Sequence, residues 1–269
     1  MKPTTTHILI CLLLISFITS AQSKQRAVPG NIESYIDRFE ENENDKNKNG
    51  WAHYYIPKGM ADTLTVKMSC VYAGTQTHPP HTHHEDEAFY IVKGPVNFHI
   101  NGEERILNTG DFVYTPSGSS HNIQRTNNDT IKYLVLKRET VRPVSKPYKV
   151  AKADYTFEDC CYYISKDPEW QKSGSSHIVA LDKTFADGFE VILKRVTENT
   201  EILSKNDSNT EKQTAIYIIS GEATVNFGGQ QSTLYADNTF YCPKGADFSL
   251  KKMTNQPLVF LSISTYNAN

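Results

Sequence analysis

An internal repeat constrains this chain more than any other feature. Ala88-Phe-Tyr-Ile-Val-Lys-Gly94 returns as Ala215-Ile-Tyr-Ile-Ile-Ser-Gly221, and Asp111-Phe-Val-Tyr-Thr-Pro-Ser-Gly118 returns as Asn238-Thr-Phe-Tyr-Cys-Pro-Lys-Gly245, both at an offset of 127 residues. Each second block ends with a glycine two positions after a proline, the chemistry of a tight turn. Two copies of one folding plan therefore fill most of the chain. Around these blocks run short alternating segments, Thr63 to Ala73, Ala88 to Lys93, Val96 to Ile100, Asp111 to Tyr114 and Ile131 to Lys137, parted by Gly, Pro and Asn. Strands this short, this regularly spaced, argue an all-β protein of barrels or sandwiches.

Composition narrows the function classes. Hydrophobic residues at 38% and charged residues at 22% support a folded core. With 28 Lys and Arg against 30 Asp and Glu, the net charge of -2 supplies no field for gathering nucleic acid. Lys2, the apolar run Ile8 to Ile18 and the small residues Thr19-Ser20-Ala21 read as a secretory signal cleaved after Ala21. The expected location is periplasmic or extracellular. The apolar run is far short of the roughly 20 residues that cross a bilayer, so no stable membrane insertion is expected. The expected divisions are 1–21 signal, 22–50 extension, 51–142 first domain and 143–269 second domain. Within the extension, Ile32, Tyr35, Ile36 and Phe39 are spaced like a short amphipathic helix. Cys70, Cys160, Cys161 and Cys242 lack zinc-site or redox spacing and are expected as mostly free, buried thiols.

Chemistry concentrates between the first two strands, in His78-Pro-Pro-His81-Thr-His83-His-Glu-Asp-Glu87. Residues two apart on an extended chain face the same way, so His81 and His83 can converge. Glu87 heads the next strand and can return a carboxylate to the same centre. His121, just past Pro116-Ser-Gly118, adds a third imidazole. Such a set suits one divalent transition metal, Fe, Mn, Ni, Cu or Zn, and leaves positions open for chemistry. His84 and Glu85 offer a displaced register. His78 and His99 are expected at the surface or rim. Phe89, Ile91, Val96, Phe98, Phe112 and Tyr114 are expected core.

These motifs resemble those of the cupin superfamily. Gly74, His81, His83, Glu87 and Gly94 occupy the roles of its first motif, and Gly110, Pro116, Gly118 and His121 those of its second. Six residues rather than five separate Gly74 from His81, and Arg125 stands where the family often has Asn. The resemblance implies metal ligands at His81, His83, Glu87 and His121, and a fold of two tandem cupin barrels of the jelly-roll, double-stranded β-helix type. Carried through the offset of 127, the ligands fall on Ser208, Thr210, Thr214 and Phe248. The second copy thus keeps the fold signature without a ligand set.

Three reaction classes follow. The stretch Pro79 to Gly94 is similar to that of quercetin-dioxygenase-like bicupins, which implies dioxygen chemistry on a small chelating enol or catechol, with Glu87 as ligand and catalytic proton acceptor. The alternatives are a non-redox isomerase, lyase or hydrolase acting on a sugar-derived acid, and a non-enzymatic small-ligand-binding protein. The ureidoglycine aminohydrolase group is also similar in size, but carries its metal in the other domain. The expected partner is a small-molecule substrate, and exposed strand edges make a homodimer the expected assembly.

Overall fold

The computed structural model describes residues 30–41, 49–75, 77–139, 155–204 and 212–266. The expected signal at 1–21, Ser208 and Thr210 lie outside the described residues. A single 3-10 turn, Ile32–Tyr35, leads into β1 (Ile36–Arg38). The first copy then runs β2 (Gly50–Ile56), β3 (Leu64–Val71), β4 (Asp86–Lys93), β5 (Val96–Ile100), β6 (Glu103–Leu107), β7 (Phe112–Thr115), β8 (His121–Arg125) and β9 (Ile131–Arg138). Two short helices, α1 (Phe157–Cys160) and α2 (Pro168–Gln171), flank β10 (Cys161–Tyr162). The second copy is β11 (Ser176–Leu181), β12 (Phe189–Val196), β13 (Glu201–Ser204), β14 (Gln213–Ser220), β15 (Ala223–Phe227), β16 (Gln230–Leu234), β17 (Asn238–Cys242), β18 (Phe248–Lys252) and β19 (Leu258–Thr265).

The all-β, two-copy reading holds, but closed barrels do not. The strands form four open sheets, ordered β10-β7-β4-β9-β3-β2 and β6-β5-β8 in one half, and β1-β17-β14-β19-β12-β11 and β13-β18-β15-β16 in the other. Among the described residues no ladder joins the large sheet to the small one, so each half is a sandwich whose sheets meet through side chains. In the second half β13 pairs with β18. The matching loop of the first half contributes only a bridge, His81 to His121. Pro79 and Pro80 precede that bridge, and proline has no N–H to extend a ladder.

The extension also departs from expectation. Its amphipathic spacing yields one turn, after which Ile36 is extended and β1 adds to the edge of the second half at β17, with Ile36 opposite Phe240. In the same way β10 adds to the first half at β7, with Cys161 opposite Val113. The two halves thus exchange lead-in strands. A continuous apolar layer joins them, with Leu64, Val66, Met68, Leu134 and Leu136 packed in one cluster with Val191, Leu193, Tyr217, Leu261 and Ile263. A hydrogen-bonded knot inside it links Gln213 Nε2 to Thr63 Oγ1 at 2.7 Å and Tyr241 Oη to Gln213 Oε1 at 2.9 Å. The central strands β4 and β14 are buried along most of their length, each around an apolar run, Ala88 to Val92 and Ala215 to Ile219. The expected core residues Phe89, Ile91, Val96, Phe98, Phe112 and Tyr114 are all buried. All four described cysteines are free thiols, with Cys161 only half-buried.

The interior of the second half is filled by aromatic rings, Phe240 lying 5.2 Å from both Phe227 and Phe248 between ring centroids. Phe240 is fully buried. Phe240→Ala should therefore destabilise the fold by about 3–5 kcal/mol, read as a lowered urea midpoint in chemical denaturation. An unchanged midpoint would show that this interior does not carry the second half.

Candidate metal centre

Main-chain hydrogen bonds assemble the site before any side chain acts. His81 N donates to His121 O at 3.1 Å, and His121 N donates to His81 O at 2.9 Å. The Pro116-Ser-Gly118 turn holds the third ligand, since Gly118 N donates to His83 O at 2.8 Å. Gly118 sits at φ +84°, a conformation that disfavours a side chain. Asp86 fastens the turn from the other side, accepting from Ser117 N at 3.0 Å. Both sequence motifs are therefore one structural clasp.

Among the described residues, His81, His83 and His121 form a cluster whose ligand atoms all lie within 4.8 Å of one another. His121 Nδ1 faces Ser119 O at 3.0 Å and His81 Nδ1 faces Pro79 O at 3.2 Å. A carbonyl only accepts, so each Nδ1 carries the hydrogen and each Nε2 is left for a metal. Burial is the main cause that pushes His81 and His83 below the ordinary imidazole range, which favours the neutral, metal-competent ring.

Glu87 lies against this cluster. Its Oε2 is 2.8 Å from His121 Nε2, its Oε1 is 3.5 Å from His83 Nε2, and Lys137 Nζ is in ionic contact with the same Oε1. Burial alone would raise this carboxyl, but the His121 hydrogen bond and the Lys137 charge prevail and hold it down at about 2. Oε1 is fully buried, with the Lys137 ammonium and His83 Nε2 beside it. An ionised carboxylate with unused acceptor capacity beside three imidazoles fits a divalent transition metal. The donor set does not choose among Fe, Mn, Ni, Cu and Zn.

The cluster opens on a cavity of about 500 Å³ walled by Trp51, Phe89, Ile123, Tyr133 and Val135, with Lys67 and Lys137 as its ammonium groups. His78 is exposed on the rim, its ring 4.3 Å from that of His81. His99 lies elsewhere, paired with Glu104 at 3.1 Å. The displaced register is not used: the cluster contains His83, and Glu85 stands 4.0 Å from His83 Nδ1, on the ring's other nitrogen. Motif reading missed Lys67, Tyr133 and Lys137. Their signal was present, because Tyr133 and Lys137 alternate with Leu134 and Leu136 along β9. Only the strand register tells which face holds the site.

Strand pairing also corrects the mapping onto the second copy. Phe248 does stand for His121, but its partner is Ser204 rather than Ser208. The loop between β12 and β14 is longer than that between β3 and β4, so a constant offset fails there. Phe248 and Ser204 offer no imidazole, and Thr214, standing for Glu87, hydrogen-bonds Ser264 at 3.0 Å.

The fold is bicupin-like, with a metal-binding motif in its N-terminal half that is consistent with metal-dependent catalysis. Residues 68–137 match the sequence profile of the cupin domain. A segment of 52 residues is 39% identical to the oxalate-binding protein of Thermotoga maritima, covering 19% of this chain and 43% of that protein. The chain therefore spans under half the length of that relative. The structure is similar to a mutant of Bacillus subtilis oxalate decarboxylase, with TM-score 0.62 and 18% identity over 82% of this chain and 74% of that one. It is also similar to Lactobacillus farciminis oxalate decarboxylase in complex with formate, with TM-score 0.63 and 13% identity over 89% and 88% of the two chains. At these identities the structural likeness is one of fold. Among the described residues no helix is long and apolar enough to cross a membrane.

Two outcomes follow from the geometry. The double variant His81→Ala, His83→Ala should lose most bound metal in elemental analysis while keeping its circular dichroism, because the second copy folds without these ligands. Wild-type metal content in that variant would overturn the assignment. Because protonation competes with metal and both imidazoles lie below 6.5, metal release on acidification should begin below pH 6.5, measured by dialysis across pH. Release complete above that pH would contradict the buried, neutral pair.

Proposed function

We propose that this protein is a metal-dependent enzyme acting on a small organic acid of the oxalate kind, by lyase-type chemistry. One observation carries the reading: three imidazoles and an ionised Glu87 converge on a small cavity with two ammonium groups, a setting for a chelating anion. The oxalate-binding and oxalate-decarboxylating proteins it is similar to support the choice of acid. They favour a non-redox reaction on an acid over dioxygenation of an enol or catechol. Support for a sugar-derived substrate is likewise weaker than for a short acid. Export of the mature chain from Gln22 onward belongs to the same proposal and rests on the apolar run Ile8 to Ile18.

In this reading His81, His83 and His121 hold the metal, with Glu87 as a fourth ligand. The metal, when bound, supplies Lewis-acid polarisation of the chelated carboxylate. Lys137 keeps Glu87 ionised, which suits this carboxylate to ligation and, beside the substrate, to accepting a proton rather than donating one. Phe89, Ile123 and Val135 limit water at the reacting carbon.

The test supplies metal-loaded protein with oxalate and follows acid consumption, carbon dioxide release and oxygen uptake. Metal-dependent acid loss without stoichiometric oxygen uptake is the expected outcome. Glu87→Gln should lower turnover about 100-fold while the three histidines retain metal. Oxygen uptake with flavonols or catechols, and none of this chemistry with acids, would replace the proposal with dioxygenation.

A further inference from the structure

Lys67 is placed as deliberately as the metal ligands, yet nothing in the clasp uses it. On the large sheet of the first half, Glu87 pairs with Lys137, Phe89 with Val135, and Val135 in turn with Lys67. Glu87, Phe89, Lys137, Val135 and Lys67 thus share one face, and that face walls the metal cavity. Lys67 and Lys137 are diagonal neighbours on adjacent strands, roughly 7–8 Å apart. Lys137 is committed to Glu87. Among the described residues Lys67 has neither an ion pair nor a hydrogen bond, and its ammonium lies over the Tyr54 ring at 5.6 Å. Burial first, and the Lys137 charge second, push Lys67 below the ordinary lysine range, with Glu87 opposing. A half-buried ammonium facing a like charge is stabilised by an incoming anion.

The second copy gives an internal comparison. There strand pairing sets Ile192 at the place of Lys67, Ser264 at that of Lys137 and Thr214 at that of Glu87. The cations disappear together with the ligands. A lysine kept only to hold the sheet would have no reason to follow them.

We propose that Lys67 is a specificity residue: it binds an acidic group of the substrate that the metal does not fully neutralise, so the substrate class is a chelating acid with two negative charges. The inference rests on the organic-acid reading above and names the residue that selects within it. Full-length mature protein reconstituted with manganese, with metal content verified, is titrated calorimetrically with oxalate and with glycolate. Both are two-carbon acids that chelate through two oxygens, and they differ by one charge. Lys67→Met should weaken oxalate binding at least about tenfold, the size of one charge-assisted hydrogen bond, and leave glycolate within about twofold on the same reasoning. Lys67→Arg should restore most of the oxalate preference. Equal losses for both acids, or an unchanged oxalate affinity, would overturn the role of Lys67 while leaving the metal-site reading intact. Wild-type holoprotein that binds neither acid, or binds oxalate equally well without metal, would overturn the organic-acid reading and this inference with it. If Lys67→Met does not fold, Lys67→Gln measures the same ratio.

Discussion

Everything in the site depends on the register of β9 between β4 and β3. Because Glu87 lies opposite Lys137 and Phe89 opposite Val135, a carboxylate, two ammonium groups and an apolar wall share one face of one sheet. A slip of one residue would turn Lys137 into the layer between the halves and Leu136 into the cavity. That slip is resisted from the other face, where Leu64, Leu134 and Leu136 pack in the cluster that continues into Val191 and Leu261. The second half therefore acts on the chemistry of the first without offering a ligand: burial of one face holds the register of the other.

The two copies show what one plan becomes when its polar residues are exchanged for apolar ones. Where the first copy has His121, the second has Phe248, and its ring completes a filled interior with Phe227 and Phe240. Where the first copy pairs Glu87 with Lys137, the second pairs two hydroxyls, Thr214 and Ser264. A filled interior gains packing and loses the site. An open one accepts the cost of buried charge, which is tolerable only when each charge has a partner. Glu87 has Lys137 and His121, and Lys67 has the Tyr54 ring and, in the proposal above, the acidic group of the substrate. The exchanged strands β1 and β10 fit the same scheme, because each covers an edge of the other half's large sheet.

How much was legible follows from which interactions are local. The repeat, the strands around it and the spacing of His81, His83 and Glu87 are short-range patterns, and they survive contact with the structure because a period of two is a property of any strand. His121 was legible through its turn, since Pro116 and Gly118 announce the geometry that brings it near His83. Lys67 and Lys137 looked like ordinary polar positions in half-buried strands. The helix expected from Ile32, Tyr35, Ile36 and Phe39 ended after one turn because β17 offered β1 a ladder that its own sequence does not contain. Closed barrels failed for a similar reason: closure is a matter of which edges meet, and no residue pattern within a strand records that.

The sequence by itself determined the class of fold, the two-copy plan and the identity of the donor atoms, because strand alternation, turn chemistry and side-chain type are written along the chain. Only the tertiary structure decided that the sheets stay open, that Ser204 stands opposite Phe248, and that Glu87, Lys137 and Lys67 face one cavity. Those outcomes are set by pairing between strands distant in the chain, and that pairing is chosen by the packing of both sheet faces at once.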